Sequence, residues 1–299
     1  MNDKKHAFLI MAHNNIEQLN LLLDVIDSDV CDIYLHIDCK SDIQITDINK
    51  MKKSKMYIYK EISVFWADYS QIICELFLLE KAIQGDYCYF HLISGSDLLL
   101  KSPEKIAEIL EMKNDIFLHF TTVEHLNKAL DFVKYYHPFQ KQLSSVNRRK
   151  KISVIKVVNK LFLQIQKMLK INRIPDGLTV KKGVNWFSIP KDVAEYIISK
   201  KDWINDRFYN TRSSDEFFIQ TLLYNSEFKN RIYMLNEDDD YRSCLRLIDW
   251  NRGTPYVFRD EDFDMLINSE MLFARKFDWN VDKKIIKRIC SFLLEKKNI

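Results

Sequence analysis

The chain has 299 residues, of which 47% are hydrophobic, so it can bury a large core as one domain or as two closely joined lobes. Its 45 basic residues nearly balance its 42 acidic residues, and the resulting charge of +3 argues against a dedicated nucleic-acid-binding protein. The apolar run at residues 7–12 is too short for a signal sequence, and no segment reaches the roughly 18 apolar residues of a membrane helix. The chain is therefore expected to be cytoplasmic.

The six cysteines are scattered along the chain without a CxxC pair. This spacing argues against a zinc site and against a small disulfide scaffold. Because most of them sit within apolar runs, they are expected to be buried thiols.

The first 120 residues alternate between predicted strands and predicted helices. The strands are predicted at residues 7–11, 31–37, 56–59, 87–93 and 116–120, and the helices at 16–26, 70–83 and 102–110. This alternation predicts an α/β fold with a mostly parallel central sheet and helices on both faces. Such sheets bind ligands beyond the carboxyl ends of their strands, which makes residues 12–14, 36–38 and 94–97 the candidate loops.

The second half of the chain has a different character. Residues 148–173 contain nine lysines and arginines and no acidic residue, and the spacing of apolar residues at 152–169 predicts an amphipathic helix. A strand is predicted at 178–189, and helices are predicted after Pro190 and from positions 215, 260 and 281.

Five segments, in chain order, carry a family resemblance. The central one is FHLISGSD at 90–97 followed by LKS at 100–102. It resembles the core-2/I-branching N-acetylglucosaminyltransferases, glycosyltransferase family 14, which include the peptide O-xylosyltransferases. The other segments are YLHIDCKS (34–41), GVNWFS (183–188), SDEFFIQTLLYNS (214–226), and LRLIDW (245–250) continued by LFARKFD (272–278).

The resemblance covers nearly the whole chain except residues 120–172, and it implies a GT-A-like nucleotide-sugar transferase fold. It implies one catalytic domain over 1–299, with a nucleotide-binding half at 1–120, a basic helical insertion at 121–175 and an acceptor or catalytic half at 176–299. It also implies inverting transfer of a sugar from a UDP-sugar donor.

Inverting transfer needs a carboxylate that takes the proton from the acceptor hydroxyl. The resemblance assigns this role to Glu216. The residue pattern alone also fits a capping box between Ser213 and Glu216, with acidic residues in a first helical turn. Asp215, the neighbouring carboxylate, is predicted to be solvated.

The departing nucleoside diphosphate needs positive charge nearby. Many GT-A enzymes hold a cation there with an Asp-x-Asp pair, but residues 94–97 offer only Asp97, and one carboxylate is a poor cage for Mg²⁺ or Mn²⁺. The resemblance implies metal-independent transfer, with no cofactor beyond the donor. It places Lys276 on the diphosphate together with an arginine, for which Arg252 is preferred over Arg259. The acidic run at 237–240 is interpreted as a solvated loop.

The resemblance also suggests the residues that bind the donor. It places the uracil and ribose against Ala12, His13, Ile37, Asp38 and Trp66, where the Trp66 ring can stack on the flat base. It assigns Asp97, Trp186 and Trp250 to the sugar subsites. From the residues alone, Trp66 also fits a core position and His13 a buried histidine at the end of a strand.

These observations predict an inverting, metal-independent transfer of N-acetylglucosamine from its UDP donor to an acceptor hydroxyl in cell-surface polysaccharide synthesis. UDP-xylose or UDP-galactose as donor remains open, as does an inactive sugar-binding or scaffold protein. The acceptor is expected to be a glycan or a lipid-linked glycan. The basic stretch 148–173 fits either a solvated face or peripheral docking on the anionic inner face of the plasma membrane.

Overall fold

The computed structural model describes residues 5–111, 113–144, 149–235 and 241–297. Its strands are β1 (Lys5–Ala12), β2 (Cys31–Ile37), β3 (Met56–Tyr59), β4 (Tyr87–Ser94), β5 (Asp97–Leu99), β6 (Phe117–Leu118), β7 (Phe187–Pro190), β8 (Arg246–Ile248) and β9 (Phe273–Arg275). The main sheet has the order β3-β2-β1-β4-β7-β6, and a small second sheet has the order β5-β9-β8.

The helices lie between and after these strands. They are α1 (Ile16–Ile26), α2 (Ser70–Ala82), α3 (Pro103–Glu111), α4 (Val123–Ala129), α5 (Asp131–Lys134), α6 (Gln140–Ser144), α7 (Arg149–Met168), α8 (Lys191–Ser199), α9 (Lys201–Phe208), α10 (Phe218–Tyr224), α11 (Phe263–Ile267) and α12 (Lys283–Lys297). The helices predicted from 215 and 260 each begin instead with a short 3₁₀ turn, Ser214–Glu216 and Asp260–Asp262. No helix in the described ranges is long and apolar enough to cross a membrane.

The predicted α/β class and the mostly parallel sheet are confirmed. Strand β1 pairs in parallel with both β2 and β4, and β2 pairs in parallel with β3. Strand β7 runs antiparallel to β4 and to β6. The three loops predicted to bind ligands therefore follow adjacent parallel strands and lie at one edge of the sheet.

The two faces of the sheet bury separate hydrophobic clusters. Because successive side chains of a strand point to opposite faces, Phe8 and Ile10 pack on the side of α1 and α12. Ala7 and Leu9 pack on the opposite side, with the apolar faces of α2, α8 and α10. Helices therefore cover both faces, as the sequence predicts.

The strand predicted at 178–189 is wrong for most of its length, since only Phe187–Pro190 is extended in the sheet. Upstream, side chains of α10 and the residue after it take the backbone hydrogen bonds instead. Lys181 N–H donates to Thr221 Oγ1 at 3.0 Å, and Thr179 N–H donates to Asn225 Oδ1 at 3.0 Å. Gly183 lies so close to β6 that an added Cβ would come within 1.8 Å of the His119 carbonyl oxygen. Only glycine permits this approach.

The second sheet joins the C-terminal part of the chain to the loop after β4. Strand β5 pairs with β9, so Asp97 lies opposite Arg275. Buried Gln18 on α1 donates to the carbonyls of Gly95 at 2.9 Å and Phe277 at 3.3 Å, and accepts from Trp279 N–H at 3.0 Å. These bonds bring residues 275–279 to the carboxyl end of β1.

The segment 121–175 contains α4 to α7, and no strand lies in its described part. The amphipathic helix predicted at 152–169 is confirmed as α7. The expectation that most cysteines are buried is also confirmed, since Cys31, Cys74, Cys244 and Cys290 are buried while Cys39 is exposed.

Candidate active site

The loops after β1, β2 and β4 meet at the carboxyl edge of the sheet. Asp38 N–H donates to the Ala12 carbonyl at 2.8 Å, and Gly95 N–H donates to the Met11 carbonyl at 2.9 Å. A Cβ on Gly95 would lie 3.2 Å from the Ala12 Cβ, so the loop after β4 passes close to β1. Ala12 and Ile37, the last residues of β1 and β2, are buried at this edge, and the space beyond it is called the crevice here.

His13 lies at the exposed rim of the crevice, surrounded by charged side chains. Partial desolvation lowers the pKa of His13, Asp38 opposes this shift, and the cations Lys276, Lys40 and Arg275 add to it. Asp38 is buried and pairs with Lys40, whose Nζ lies 2.6 Å from Asp38 Oδ2. The structure therefore brings together the predicted residues His13, Asp38 and Lys276.

Two of these cations, Lys40 and Arg275, were not predicted to be site residues. Both lie within the segments that carry the family resemblance, Lys40 in YLHIDCKS and Arg275 directly before Lys276 in LFARKFD. Their positions inside these two segments were the signal that could have identified them as site residues. Only the register between β5 and β9, which places Arg275 opposite Asp97, shows what Arg275 contacts.

Asp97 is buried and paired with Arg275. Arg275 Nη1 lies 2.6 Å from Asp97 Oδ1, and Ser94 N–H donates to Asp97 Oδ2 at 2.6 Å. The Arg275 guanidinium also lies 4.5 Å from the centre of the Trp186 ring. Where an Asp-x-Asp pair would hold a metal ion, this chain therefore has a carboxylate whose oxygens both accept hydrogen bonds from the protein.

The described part of the chain contains no group of three or more His, Cys, Asp or Glu side chains arranged to hold a metal ion. The acidic run at 237–240 lies outside the described residues. Metal independence stays a prediction.

Glu216 ends the 3₁₀ turn Ser214–Glu216 and keeps an accessible carboxylate. Its side chain is 38% exposed, and its Oε2 lies 2.7 Å from Nζ of Lys182. Gly183 N–H donates to the Glu216 carbonyl at 2.9 Å, which joins the GVNWFS segment to this turn. The capping-box interpretation is wrong, because Ser213 has a left-handed backbone (φ 48°) and its side chain makes no capping hydrogen bond.

The prediction that Asp215 is solvated is also wrong, because Asp215 is only 5% exposed. Gln71 of α2 donates to its Oδ2 at 2.8 Å. Burial, followed by the charge of Glu216, raises the pKa of Asp215 to about 7. Buried Glu75 accepts from Asn185 Nδ2 at 3.1 Å, and burial together with Asp215 raises its pKa well above the ordinary range. Two buried carboxyl groups thus lie behind Glu216.

This burial predicts that Asp215→Asn stabilises the protein at alkaline pH. The folded pKa of about 7 exceeds the ordinary value of 3.8, so the contribution of Asp215 to stability is complete below pH 3.8 and is lost as the pH rises through 7. At about 1.4 kcal/mol per pKa unit, we expect Asp215→Asn to raise the free energy of unfolding at pH 8 by about 2–4 kcal/mol. Urea denaturation at pH 8 and pH 5 measures this gain, which should shrink at pH 5.

Asp176→Asn is the matched control, because Asp176 is exposed and its replacement should leave stability unchanged. A gain from Asp215→Asn that is equal at both pH values would contradict the assigned pKa.

The remaining predicted residues lie in two other cavities. Trp66 is 72% exposed, which excludes the core position considered for it, and it lines a cavity of about 290 Å³ with Leu163 and Arg212. Trp250 and Arg252 line a larger cavity of about 700 Å³. Their roles in binding stay predictions.

Arg252 is held by two carboxylates. Its Nε lies 2.5 Å from Asp249 Oδ2, and its Nη1 lies 2.7 Å from Asp262 Oδ1. It is not among the charged groups that act on His13. Arg259, the alternative, is exposed at the start of the turn Asp260–Asp262.

Comparison with known proteins supports the resemblance. The model of the core-2/I-branching enzyme family matches residues 6–265. The xylosyltransferase of Ciona intestinalis is 21% identical over an alignment of length 308 that covers 95% of this chain and 33% of that protein. Xylosyltransferase 1 of Rattus norvegicus is 22% identical over an alignment of length 317 that covers 98% of this chain and 36% of that protein.

A third relative matches more closely over a shorter region. Xylosyltransferase sqv-6 of Caenorhabditis briggsae is 30% identical over 141 residues, covering 41% of this chain and 18% of that protein. This chain thus spans from 18% to 36% of the length of these relatives. Since the family model matches most of the chain, we conclude that this protein belongs to the core-2/I-branching enzyme family.

Proposed function

We propose that this glycosyltransferase moves a sugar from a UDP-sugar to an acceptor hydroxyl, with inversion and without a metal ion. The observation that carries the proposal is a charged cluster at the carboxyl edge of the sheet. There Lys40 pairs with Asp38 at 2.6 Å, Arg275 pairs with Asp97 at 2.6 Å, and Lys276 directly follows Arg275. Ligands of α/β sheets bind at this edge, and a diphosphate needs positive charge there.

In the proposed reaction, the acceptor oxygen forms a bond to the anomeric carbon as the bond from that carbon to the diphosphate oxygen breaks. The electron pair of the breaking bond leaves with UDP, where Lys276 offsets the developing charge. The acceptor proton moves to the carboxylate of Glu216, which is accessible and is oriented by Lys182 at 2.7 Å.

The proposed donor is UDP-N-acetylglucosamine, and the proposed acceptor is a hydroxyl of a cell-surface polysaccharide or of its lipid-linked precursor. UDP-xylose is the second candidate, because the similar curated proteins are named xylosyltransferases. Measuring UDP release from UDP-N-acetylglucosamine, UDP-xylose and UDP-galactose with simple glycoside acceptors tests the choice. UDP binding without release from any donor would favour the inactive sugar-binding alternative.

The metal-free mechanism predicts that transfer survives EDTA. Arg275 already pairs with Asp97 at 2.6 Å, and Lys276 supplies the positive charge that a cation would bring to the leaving diphosphate. The rate of UDP release in excess EDTA should therefore equal the rate without it. Activity that EDTA abolishes and Mn²⁺ restores would overturn the mechanism.

A further inference from the structure

Helix α7 exposes an apolar stripe along its outer face. Its members are large aliphatic or methionine side chains that are 43% to 80% exposed: Val154, Val157, Val158, Leu161, Ile165 and Met168. At about 100° per residue, this spacing places all six within a sector of about 100° of the helix surface. With Leu169, they are seven of the seventeen exposed large hydrophobic residues in the described part of the chain.

The opposite face of α7 packs on the protein. These contacts fix the rotation of the helix, so the stripe points away from the protein. Gln166 is buried there, accepts from Tyr136 N–H at 2.8 Å and donates to the Tyr136 carbonyl at 3.0 Å. The Phe162 ring lies 6.0 Å from the Phe139 ring, edge to face. Folding the chain therefore anchors one side of α7 and leaves the other apolar side in water.

The charges of α7 are all positive. Its sequence contains six lysines and arginines and no aspartate or glutamate. Lys156, Lys160 and Lys167 are exposed and follow one flank of the stripe, where long side chains can reach a polar surface beside an apolar one. Lys167 also pairs with Asp131 at 2.8 Å.

Arg173, the last cation of the basic stretch, has a different role. Its guanidinium donates to the carbonyls of Arg207 at 2.9 Å and Tyr209 at 2.8 Å, and it contributes to packing rather than to the basic surface. The basic surface therefore does not include every cation of the stretch 148–173 and is centred on α7.

We propose that the outer face of α7 docks on an anionic lipid bilayer. An apolar stripe with cations beside it and no anion matches a surface that offers acyl chains below negatively charged headgroups. Because Gln166 and Phe162 hold the inner side of α7 on the protein, the docked helix would lie in the plane of the interface. A second copy of the chain is a poorer occupant, because two such faces would bring like charges together.

Docking through α7 also places a neighbouring cavity near the bilayer. The inner side of α7 contributes Leu163 to the cavity that contains Trp66 and Arg212. Arg212 stands two residues before the turn Ser214–Glu216. A bilayer bound to α7 is therefore on the side of the molecule that carries the cavity of Trp66 and Arg212.

Co-sedimentation with vesicles tests the docking. We expect the protein to pellet with vesicles of phosphatidylcholine and phosphatidylglycerol at low salt, at least about tenfold more tightly than with phosphatidylcholine alone. It should leave them near 1 M salt, where the Debye length is about 3 Å. The triple variant Val157→Asp, Leu161→Asp, Ile165→Asp should lose this binding, and Lys156→Gln with Lys160→Gln should weaken it several-fold.

Ile45→Asp is the matched control, because Ile45 is 49% exposed on a turn outside α7 and its change should leave binding unaltered. Circular dichroism verifies that each variant is folded, and the lysine variant alters only exposed side chains. Equal binding to neutral and anionic vesicles, binding to neither, or unchanged binding by both variants would overturn the proposal. So would a dimer, measured by light scattering, that the triple variant dissociates while vesicle binding is absent. These measurements do not depend on transferase activity.

Discussion

Glu216→Gln is expected to slow sugar transfer by about two to four orders of magnitude while UDP binding is retained. Glutamine keeps the shape of the side chain but cannot take the proton from the acceptor hydroxyl. The carboxylate is 38% exposed and its hydrogen-bond partner is Lys182, so the amide should be accommodated without unfolding. UDP release under saturating donor measures the rate, and titration calorimetry with UDP measures the binding.

Glu80→Gln is a suitable control for this experiment. Glu80 is also a half-exposed glutamate in an ion pair with a lysine, Lys201, at 2.8 Å, but it lies on α2 outside the crevice. Its replacement should leave the rate unchanged. If Glu216→Gln transfers sugar at the rate of the parent, another group removes the proton.

Lys276→Ala is expected to weaken UDP binding and to slow transfer as well, with a combined loss in kcat/KM of about two orders of magnitude or more. The diphosphate gains charge as the glycosidic bond breaks, so a cation beside it stabilises the transition state more than the bound donor. Lys276 lies between Arg275, which is paired opposite Asp97, and Phe277, whose N–H donates to the Ser96 carbonyl at 2.8 Å, so it stands beside the loop after β4. UDP affinity and the rate at saturating donor separate the two effects.

Lys283→Ala removes an exposed lysine at the start of α12 and should change neither quantity. Measuring UDP affinity and the rate at saturating donor for Arg252→Ala compares the contribution of the predicted arginine with that of Lys276. Unchanged UDP affinity in Lys276→Ala would remove this residue from the diphosphate site, whatever its effect on the rate.

The strands and helices of the nucleotide-binding half could be predicted because their patterns are local. Strand β1 contains a continuous apolar run at 7–12, since both of its faces are buried, and α1 repeats its buried leucines at helical spacing. The segment 178–189 shows the limit of this reasoning. Its apolar residues fit a strand, but its backbone bonds to side chains of Thr221 and Asn225, which are distant in sequence.

Some features of the site could likewise be predicted from local sequence, and others depend on contacts between distant residues. Motif order predicted Glu216, Lys276 and Asp97 as site residues, because the family resemblance lies in the sequence itself. The burial of Asp215 was not predictable, since the side chains that enclose it include Gln71, which is 144 positions away. The pairing of Asp97 with Arg275 likewise depends on strands separated by most of the chain.

The sequence by itself determined the family, the α/β class, the position of most elements and the positive charge of α7. Only the tertiary structure decided which face of α7 stays in water, which carboxylate beside Glu216 is buried, and which cations surround His13. The physical reason is the distance in sequence over which each property is set. Helix and strand periodicity is local and shows whether a face is apolar. Burial and charge pairing depend on the distant residues that folding brings together. Helix α7 is apolar on two sides, and the packing of Gln166 and Phe162 selects the side that is covered.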